Sequence, residues 1–418
     1  MRKEPGLPMP DNNEKLVKML KYVSEHNDFY KKRIKEYGIS NPLDITQWPI
    51  LSREDVLSNM HLLLSDKYHG RLFDDLMVKK TSGTSGIPVT IYWNKQDFYR
   101  STISSWRLRK LYYSITPISR QVNFNNQIFT EIDMDNSIIF NETKNSISFN
   151  KSSIKNNYRS LFDKIYQFNP EWIYTTPYIL EQLIEFSKKN NLNPPHNLKY
   201  VECAGEVLLN NLKEEAFDLF RIVVSNMYGT EETNGIAFEC PFGNMHIMDD
   251  NVFVECISNN KSTLKGLGEA VVTSLHNYAM PLIRYALNDV IIIDNSLSCP
   301  CGNPHHIIKE IRGRTNEVFS YNNVMTSGYD LVEAINILNN ILGNPVEKFC
   351  FEYDSCKQTL IIRLKIQVKF QSQVDEVKQK LFSILRRRNI FAKEVLILNE
   401  KVWPNHDIQE KQRILYIK

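Results

Sequence analysis

The chain has 418 residues, a formal net charge of +3, and a composition that is 42% hydrophobic and 24% charged. That length supports one large core or two domains, and the near-balance of charge without a concentrated basic patch argues against a nucleic-acid partner. The opening MRKEPGLPMPDNNEK lacks the apolar core of a secretory signal, and no window approaches the roughly 20 apolar residues of a membrane helix. Seven scattered cysteines fit a reduced, cytoplasmic chain without membrane insertion better than a disulfide framework.

In chain order, Leu16, Met19, Leu20 and Val23 share one face and predict a helix from Lys15 to about Tyr37. In Trp48-Pro49-Ile50-Leu51-Ser52-Arg53-Glu54-Asp55, Ser52 is a helix cap with Asp55 three residues on. A polar run at 81–86 precedes the strand formers Val89 to Trp93, and a helix is expected over about 95–110. The asparagine-rich stretch from Asn136 to Asn157 reads as hairpins or surface loops. Strands at 172–174 and 200–203 then alternate with helices at 177–188 and 209–219, an α/β rhythm. The closer-spaced strands of 252–293 suggest a second, more antiparallel sheet.

The last hundred residues read as a small α+β unit beginning near 315. Phe349–Tyr353 is a strand, and 359–370 alternates Arg363, Lys365, Gln367 and Lys369 with Leu364, Ile366, Val368 and Phe370. Val374, Val377, Leu381, Ile384 and Leu385 form one helical face, and Glu394–Leu398 is a closing strand. Arg386, Arg387 and Arg388 follow that helix and suit its C-terminal dipole, a solvated end rather than a phosphate reader.

The sharpest chemical signal is Lys80-Thr81-Ser82-Gly83-Thr84-Ser85-Gly86-Ile87-Pro88. Gly83 and Gly86 let successive N–H groups face an anion, and the hydroxyls of Thr81, Ser82, Thr84 and Ser85 add donors, so phosphate is the natural guest. A flexible polar loop has the same composition, and no Gly-Lys-Ser/Thr marks a Walker A loop. Separately, Cys240 and His246 lie six residues apart, and Cys299-Pro300-Cys301 adds two thiolates. Three sulfurs and one nitrogen suit a tetrahedral, structural Zn²⁺ with no open position, with His305 and His306 as competitors for the fourth place. Unpaired cysteines and a surface histidine are the plainer alternative.

The 80–88 segment resembles the phosphate loop of the adenylate-forming (ANL) superfamily. The closer resemblance is to its phenylacetate–CoA ligase-like branch, which includes capsular-polysaccharide-associated relatives and has the same early Pro-Ile-Leu-Ser-Arg-Glu-Asp type of sequence, here 49–55. Further segments resemble that family in its order: Val201-Glu202-Cys203-Ala204-Gly205-Glu206, Met227-Tyr228-Gly229-Thr230-Glu231-Glu232, Pro281 to Asp289, Arg312-Gly313-Arg314 and Glu410-Lys411-Gln412-Arg413, the last preceded by Pro404. The resemblance implies an α/β fold: a large multi-sheet adenylate-forming domain over 1–314 and a small mobile α+β C-terminal lid over 315–418.

It also implies residue roles. Gly205 and Glu206 lie beside the adenine and the acyl pocket, Tyr228 stacks on adenine, and Gly229 and Thr230 continue that motif. Glu232 holds Mg²⁺, Asp289 accepts from the ribose, Arg314 contacts ribose or phosphate, and Lys411 stabilises charge as the acid attacks the α-phosphate. Some relatives carry a metal at the position of Cys240, His246, Cys299 and Cys301. The acyl pocket is expected from 130–145, 174–178, 203–206 and 227–230, where Tyr174, Tyr178 and Met227 suit an aromatic or apolar acid and equally suit ordinary core. Four positions depart from the family: Glu231, Asn288, Asn316 and Glu410.

The expected activity is ATP-dependent conversion of a small carboxylic acid to an acyl-adenylate with release of pyrophosphate. Acyl transfer to a thiol follows, either CoA or a carrier-protein phosphopantetheine arm; transfer to an amine acceptor, giving an amide, is the alternative. A homodimer is compatible with this reading. The competing classes are a catalytically weak scaffold, marked by absent ATP–pyrophosphate exchange, and a kinase, marked by ADP.

Overall fold

The computed structural model describes residues 12–70, 76–81, 88–125, 131–133, 138–154, 157–208, 210–258, 261–294, 298–322, 324–400 and 415–417. Among the described residues one fourteen-stranded sheet forms the body. Strands Ser146–Asn150, Gln121–Asn125, Trp172–Thr175, Tyr200–Ala204 and Val223–Thr230 lie side by side and parallel. Asn234–Glu239 then reverses direction against Val223–Thr230. Beyond it Met245–Ile247, Ile307–Arg314, Tyr285–Asp294, Gly266–Ser274 and Val252–Ser258 continue antiparallel. The strands of 252–293 therefore extend the same sheet rather than form a second one, because Met245–Ile247 and Ile307–Arg314 bridge the two halves.

The parallel half is apolar on both faces, as strands between helical layers must be. On one face Ile173, Val201, Cys203 and Val224 pack under helices Tyr158–Phe168, Pro177–Asn190 and Asn210–Phe220. On the other, Trp172, Tyr200 and Phe238 meet Leu108 of helix Ile103–Tyr113. Successive side chains of a strand point to opposite faces, so Tyr200 and Glu202 share the second face. The antiparallel half is covered by the N-terminal helices through Leu16, Met19, Leu20, Val23, Phe29 and Tyr30. The Tyr30 hydroxyl donates to the Pro281 carbonyl at 3.0 Å and accepts from the Ile283 N–H at 2.9 Å, fixing that layer on the sheet.

Local boundaries differ where a polar side chain competes with the helix backbone. The helix expected over 15–37 is two helices, Asn12–His26 and Asp28–Glu36. Asn27 breaks them by capping the Tyr30 N–H while donating to the Leu63 carbonyl at 2.7 Å. Residues 95–110 likewise split into Lys95–Ser101 and Ile103–Tyr113. The cap at Ser52 forms a full capping box with Asp55. The 136–157 stretch contains strands Ile138–Glu142 and Ser146–Asn150, joined antiparallel.

The large sheet runs out at Arg314. A separate four-stranded sheet follows, with Glu394–Asn399, Thr359–Ile366, Val346–Asp354 and Leu415–Ile417 in spatial order. Helices Gly328–Leu342 and Val374–Arg387 cover one of its faces through Leu331, Ile335, Leu338, Val377, Leu381 and Leu385. Strand 359–366 alternates as expected, but the pattern stops at Ile366. Val368 is 88% exposed and belongs to a 3-10 turn over Val368–Gln373. Arg386 and Arg387 end their helix in solvent.

This small unit touches the large one through Lys348, whose ammonium lies 2.9 Å from Glu185 on helix Pro177–Asn190. Glu181, one turn earlier, is partly buried, and its carboxyl is pushed up to about 7 by that burial against the opposing pull of Lys348. A carboxyl raised in the fold binds its proton more tightly folded than unfolded, so its contribution weakens as pH rises from the ordinary carboxylate range toward 7. Glu181→Gln is therefore expected to raise Tm relative to the parent at pH 8 but not at pH 5, as scanning calorimetry at the two pH values would show.

Candidate functional site

The site lies at the carboxyl ends of the parallel strands, where the sheet switches to antiparallel, the usual location of a crevice in such sheets. A cavity of about 400 Å³ is lined there by 205–208, 226–232, Tyr285, 287–289 and 308–311, with Gly313 and Arg314. Thr81 and Arg53 close one side, and Tyr329, from beyond the end of the large sheet, closes another. Segments more than 200 residues apart in sequence thus share one wall system.

Tyr228 and Asp289 are joined directly. The Tyr228 hydroxyl donates to Asp289 Oδ2 at 2.6 Å, and Arg314 Nε stands 3.7 Å from Asp289 Oδ1. Burial, and then the Asp289 charge, hold the Tyr228 phenol well above its ordinary pKa, so it remains a donor. Asn288 takes the left-handed conformation at φ 57°, which asparagine tolerates without a glycine. Gly229 is required by space: a Cβ there would come within 2.7 Å of the Asn234 carbonyl oxygen. Thr230 Oγ1 faces Thr233 Oγ1 at 3.1 Å and caps the Thr233 N–H, shaping the tight return to Asn234–Glu239. Gly205 has φ +85° and ends strand Tyr200–Ala204, while the Glu206 carboxylate accepts from the Tyr178 N–H at 3.2 Å.

Glu232 is 8% exposed and accepts from the Tyr285 hydroxyl at 3.2 Å. That contact fixes the carboxylate at the cavity wall. Glu231, the other acidic residue of the motif, is paired at 3.9 Å with Lys79, on the strand that leads into the phosphate-loop segment. The carboxylate that the family pattern lacks thus has a counter-charge beside it. Ser82, Gly83, Thr84, Ser85 and Gly86, and likewise Pro404, Glu410, Lys411 and Arg413, lie outside the described residues.

Cys240, His246, Cys299 and Cys301 converge, their ligand atoms all within 4.8 Å of one another. Cys240 and Cys299 sulfurs are 3.6 Å apart, and Cys301 Sγ is 3.3 Å from His246 Nε2. Thiolates at about 2.3 Å from one tetrahedral ion stand about 3.8 Å apart, and the Cys240–Cys299 separation is close to that, so the cluster could hold a metal ion. His246 Nδ1 faces the His305 carbonyl at 3.3 Å, leaving Nε2 toward the sulfurs. Burial holds the His246 pKa down, which favours the neutral ring a metal requires. His305 and His306 are not rival ligands: both rings turn to Asp249, at 3.2 and 3.1 Å.

Of the residues expected around the acyl group, 134–137 lie outside the described residues. Residues 205, 206 and 227–230 line the cavity, but Tyr174 and Tyr178 do not. Tyr174 packs into the aromatic cluster of Trp172 and Tyr200, and Tyr178 meets Tyr158. Sequence reasoning did not assign the polar walls Asn226, Lys213 and Glu239, in which Lys213 pairs with Glu239 and the Asn226 N–H donates to Glu239 at 2.7 Å. It also passed over Arg109, which meets Glu202 with Nε at 2.7 Å and Nη2 at 2.6 Å beneath strand Tyr200–Ala204. Nothing in the spacing of Arg109 and Glu202, 93 residues apart, signals that pair.

No family model matches the sequence. The sequence is 21% identical over 380 residues to protein CapK of Staphylococcus aureus, covering 86% of this chain and 82% of CapK. The fold superimposes on 2-hydroxyisobutyryl-CoA ligase in the postadenylation state with 2-HIB-AMP at a TM-score of 0.76 and 16% identity, over 97% of this chain and 89% of that one. An open conformation of that ligase with 2-HIB-AMP and CoA gives 0.62 at 17% identity, over 97% and 90%. The fold is therefore that of the adenylate-forming enzymes, a large mixed α/β unit followed by a smaller α+β unit. Within that class, this chain is similar to CapK and to the acyl-CoA ligases, and it agrees better with the postadenylation state than with the open one.

The Arg109–Glu202 pair is buried on both sides. Removing one partner strands the other charge, so Arg109→Met should lose about 3–5 kcal/mol of unfolding free energy. Arg109→Met with Glu202→Leu should recover most of that loss in urea titrations.

Proposed function

We propose that the chain joins a carboxylic acid to AMP with release of pyrophosphate, then passes the acyl group to a thiol, CoA or a carrier-protein phosphopantetheine arm. The observation that carries this reading is the single cavity in which Thr81, the Tyr228–Glu232 turn, Asp289 and Arg314 meet at the switch of the sheet. Similarity to CoA ligases captured with an acyl-adenylate and with CoA supports it.

In this reading the nucleoside lies against Gly205, Glu206 and Tyr228, and Asp289, held by Tyr228 and Arg314, accepts from the ribose. The acid needs no general base, since it is ionised at neutral pH. Its oxygen attacks the α-phosphorus, the bond to the bridging oxygen breaks, and pyrophosphate leaves with the electron pair. The barrier is charge crowding at phosphorus. Thr81 and the loop through Gly86 donate to the phosphates, and Lys411 supplies a cation at the reacting centre. Glu232 would hold Mg²⁺, whose chemistry there is neutralisation of phosphate charge.

The division falls at 314/315 in this proposal, with the C-terminal unit acting as a mobile lid that presents and withdraws Lys411. Cys240, His246, Cys299 and Cys301 would hold a structural zinc that ties the 240–246 hairpin to the 299–301 turn. Because Gly243 and Asn244 line the cavity, that clamp would also set one of its walls. The expected cytoplasmic setting belongs to the same reading; among the described residues no helix is long and apolar enough to cross a membrane.

Incubation with ATP, Mg²⁺ and a panel of aryl, fatty, hydroxy and amino acids should give acid-dependent pyrophosphate release that hydroxylamine traps. Lys411→Ala should lower that rate by about 100- to 1,000-fold; an unchanged rate would remove Lys411 from the chemistry. Elemental analysis should find about one zinc per chain. Cys299→Ser or a strong chelator should lower Tm, and metal-free protein with an unchanged Tm would refute the zinc assignment.

A further inference from the structure

The segment Ile50–Asp55 is anchored from three directions. Leu51 forms a two-sided bridge to the large sheet, its N–H donating to the Arg284 carbonyl at 2.8 Å and its carbonyl accepting from the Ala286 N–H at 3.0 Å. Ser52 and Asp55 close a capping box, with contacts of 2.9 and 3.0 Å. The Asp55 carboxylate also takes Arg33 Nη2 at 2.8 Å, and Arg33 itself is buried and stacked on Phe29. These contacts fix the first residue of helix Arg53–Ser58 on the sheet, and that residue is Arg53.

Arg53 is partly buried and lines the cavity together with Thr81, Glu232 and Tyr285. Its guanidinium shares the Tyr285 hydroxyl with Glu232. The cavity wall carries seven acidic side chains and four basic ones. Lys213 faces Glu239 and Arg314 faces Asp289. A polyanion entering so acidic a cavity must meet fixed cations, and Arg53 is one held rigidly beside the proposed Mg²⁺ ligand.

Its place along the cavity is also defined. Tyr285 and Asp289 lie on one strand, four residues apart. The strand bulges between them, Ala286 to Val290 facing only Val271 to Glu269, so they lie closer than the roughly 14 Å of four regular strand residues, within reach of a polyphosphate that starts at the ribose. With Asp289 at the ribose, Arg53 falls on the phosphate side of the cavity.

We propose that Arg53 is a phosphate-binding residue for the triphosphate end of the nucleotide and for departing pyrophosphate. This rests on the adenylation reading above. As the carboxylate oxygen bonds to the α-phosphorus and the bond to the β-phosphate oxygen breaks, negative charge grows on pyrophosphate. A planar guanidinium anchored on the sheet stabilises that charge without having to reorganise.

The test is calorimetric binding of ATP, AMP and pyrophosphate to the full chain with Mg²⁺, for the parent, Arg53→Met and Arg53→Lys, with Tm as the folding control. Loss of a charge-assisted contact should weaken ATP and pyrophosphate by about 10- to 100-fold in Arg53→Met. AMP should stay within about twofold of the parent, and Arg53→Lys should fall between the other two. Equal weakening of ATP and AMP, or unchanged ATP binding by either variant, would overturn the assignment. Should Arg53→Met fail to fold, the Arg53→Lys comparison of ATP with AMP decides it alone. No ATP binding by the parent would sink the adenylation reading itself, and this inference with it.

Discussion

Pairing between Val223–Thr230 and Asn234–Glu239 is the constraint on which the rest of the structure depends. Up to Thr230 the strands are parallel and buried under helices; from Asn234 they are antiparallel. The three-residue return between them allows no side chain at Gly229, where a Cβ would meet the Asn234 carbonyl oxygen. Reversal there leaves the carboxyl ends of the parallel strands without a continuing crossover. The resulting crevice is walled by the turn itself, which carries Tyr228, Thr230, Glu231 and Glu232.

The polar groups around that crevice are held by burial and by one another. Asp289 is fixed by Tyr228 and Arg314, Glu232 by Tyr285, and Glu239 by Lys213 and the Asn226 N–H. Under the sheet, Arg109 and Glu202 form a forked pair flanked by Trp106 and Trp172, with the guanidinium 4.6 and 5.2 Å from the two rings. At the other flank Arg284 spans Glu255 and the Trp48 carbonyl, which joins the N-terminal segment to the antiparallel strands. Buried pairs of this kind add little net stability, but each penalises any packing that separates its members. They therefore serve to keep strand ends in register, as a site built from distant segments requires.

The cysteine–histidine cluster extends the same logic to the antiparallel half. Met245–Ile247 is a short strand pairing with Asn234–Glu239 on one side and Ile307–Arg314 on the other. Three residues of pairing would hold that join weakly. Four side chains converging from the 240–246 hairpin and the 299–301 turn close it, and Asp249 with His305 and His306 backs the histidine that faces the sulfurs.

Residue pattern was enough for the α/β rhythm of 172–220, the capping box at Ser52, the wet and dry faces of 359–366, and the order of the motifs. These are local patterns, written in side-chain periodicity and in residues one turn apart. It also singled out Cys240, His246, Cys299 and Cys301, with His305 and His306 competing for the fourth place; the structure brings the first four together. Tertiary structure alone decided that the strands of 252–293 complete the first sheet, since that depends on which edge Ile307–Arg314 finds. It decided as well that Asn27 divides the first helix, that Tyr174 packs with Trp172 and Tyr200, and that Glu231 faces Lys79. Arg53 stood in view beside the cap residues, yet its place at the cavity follows from the bridge between Leu51 and Tyr285, more than 230 residues away in sequence. Contacts of that range leave no periodic trace, because no local propensity depends on them; they exist only once the sheet has closed around the crevice.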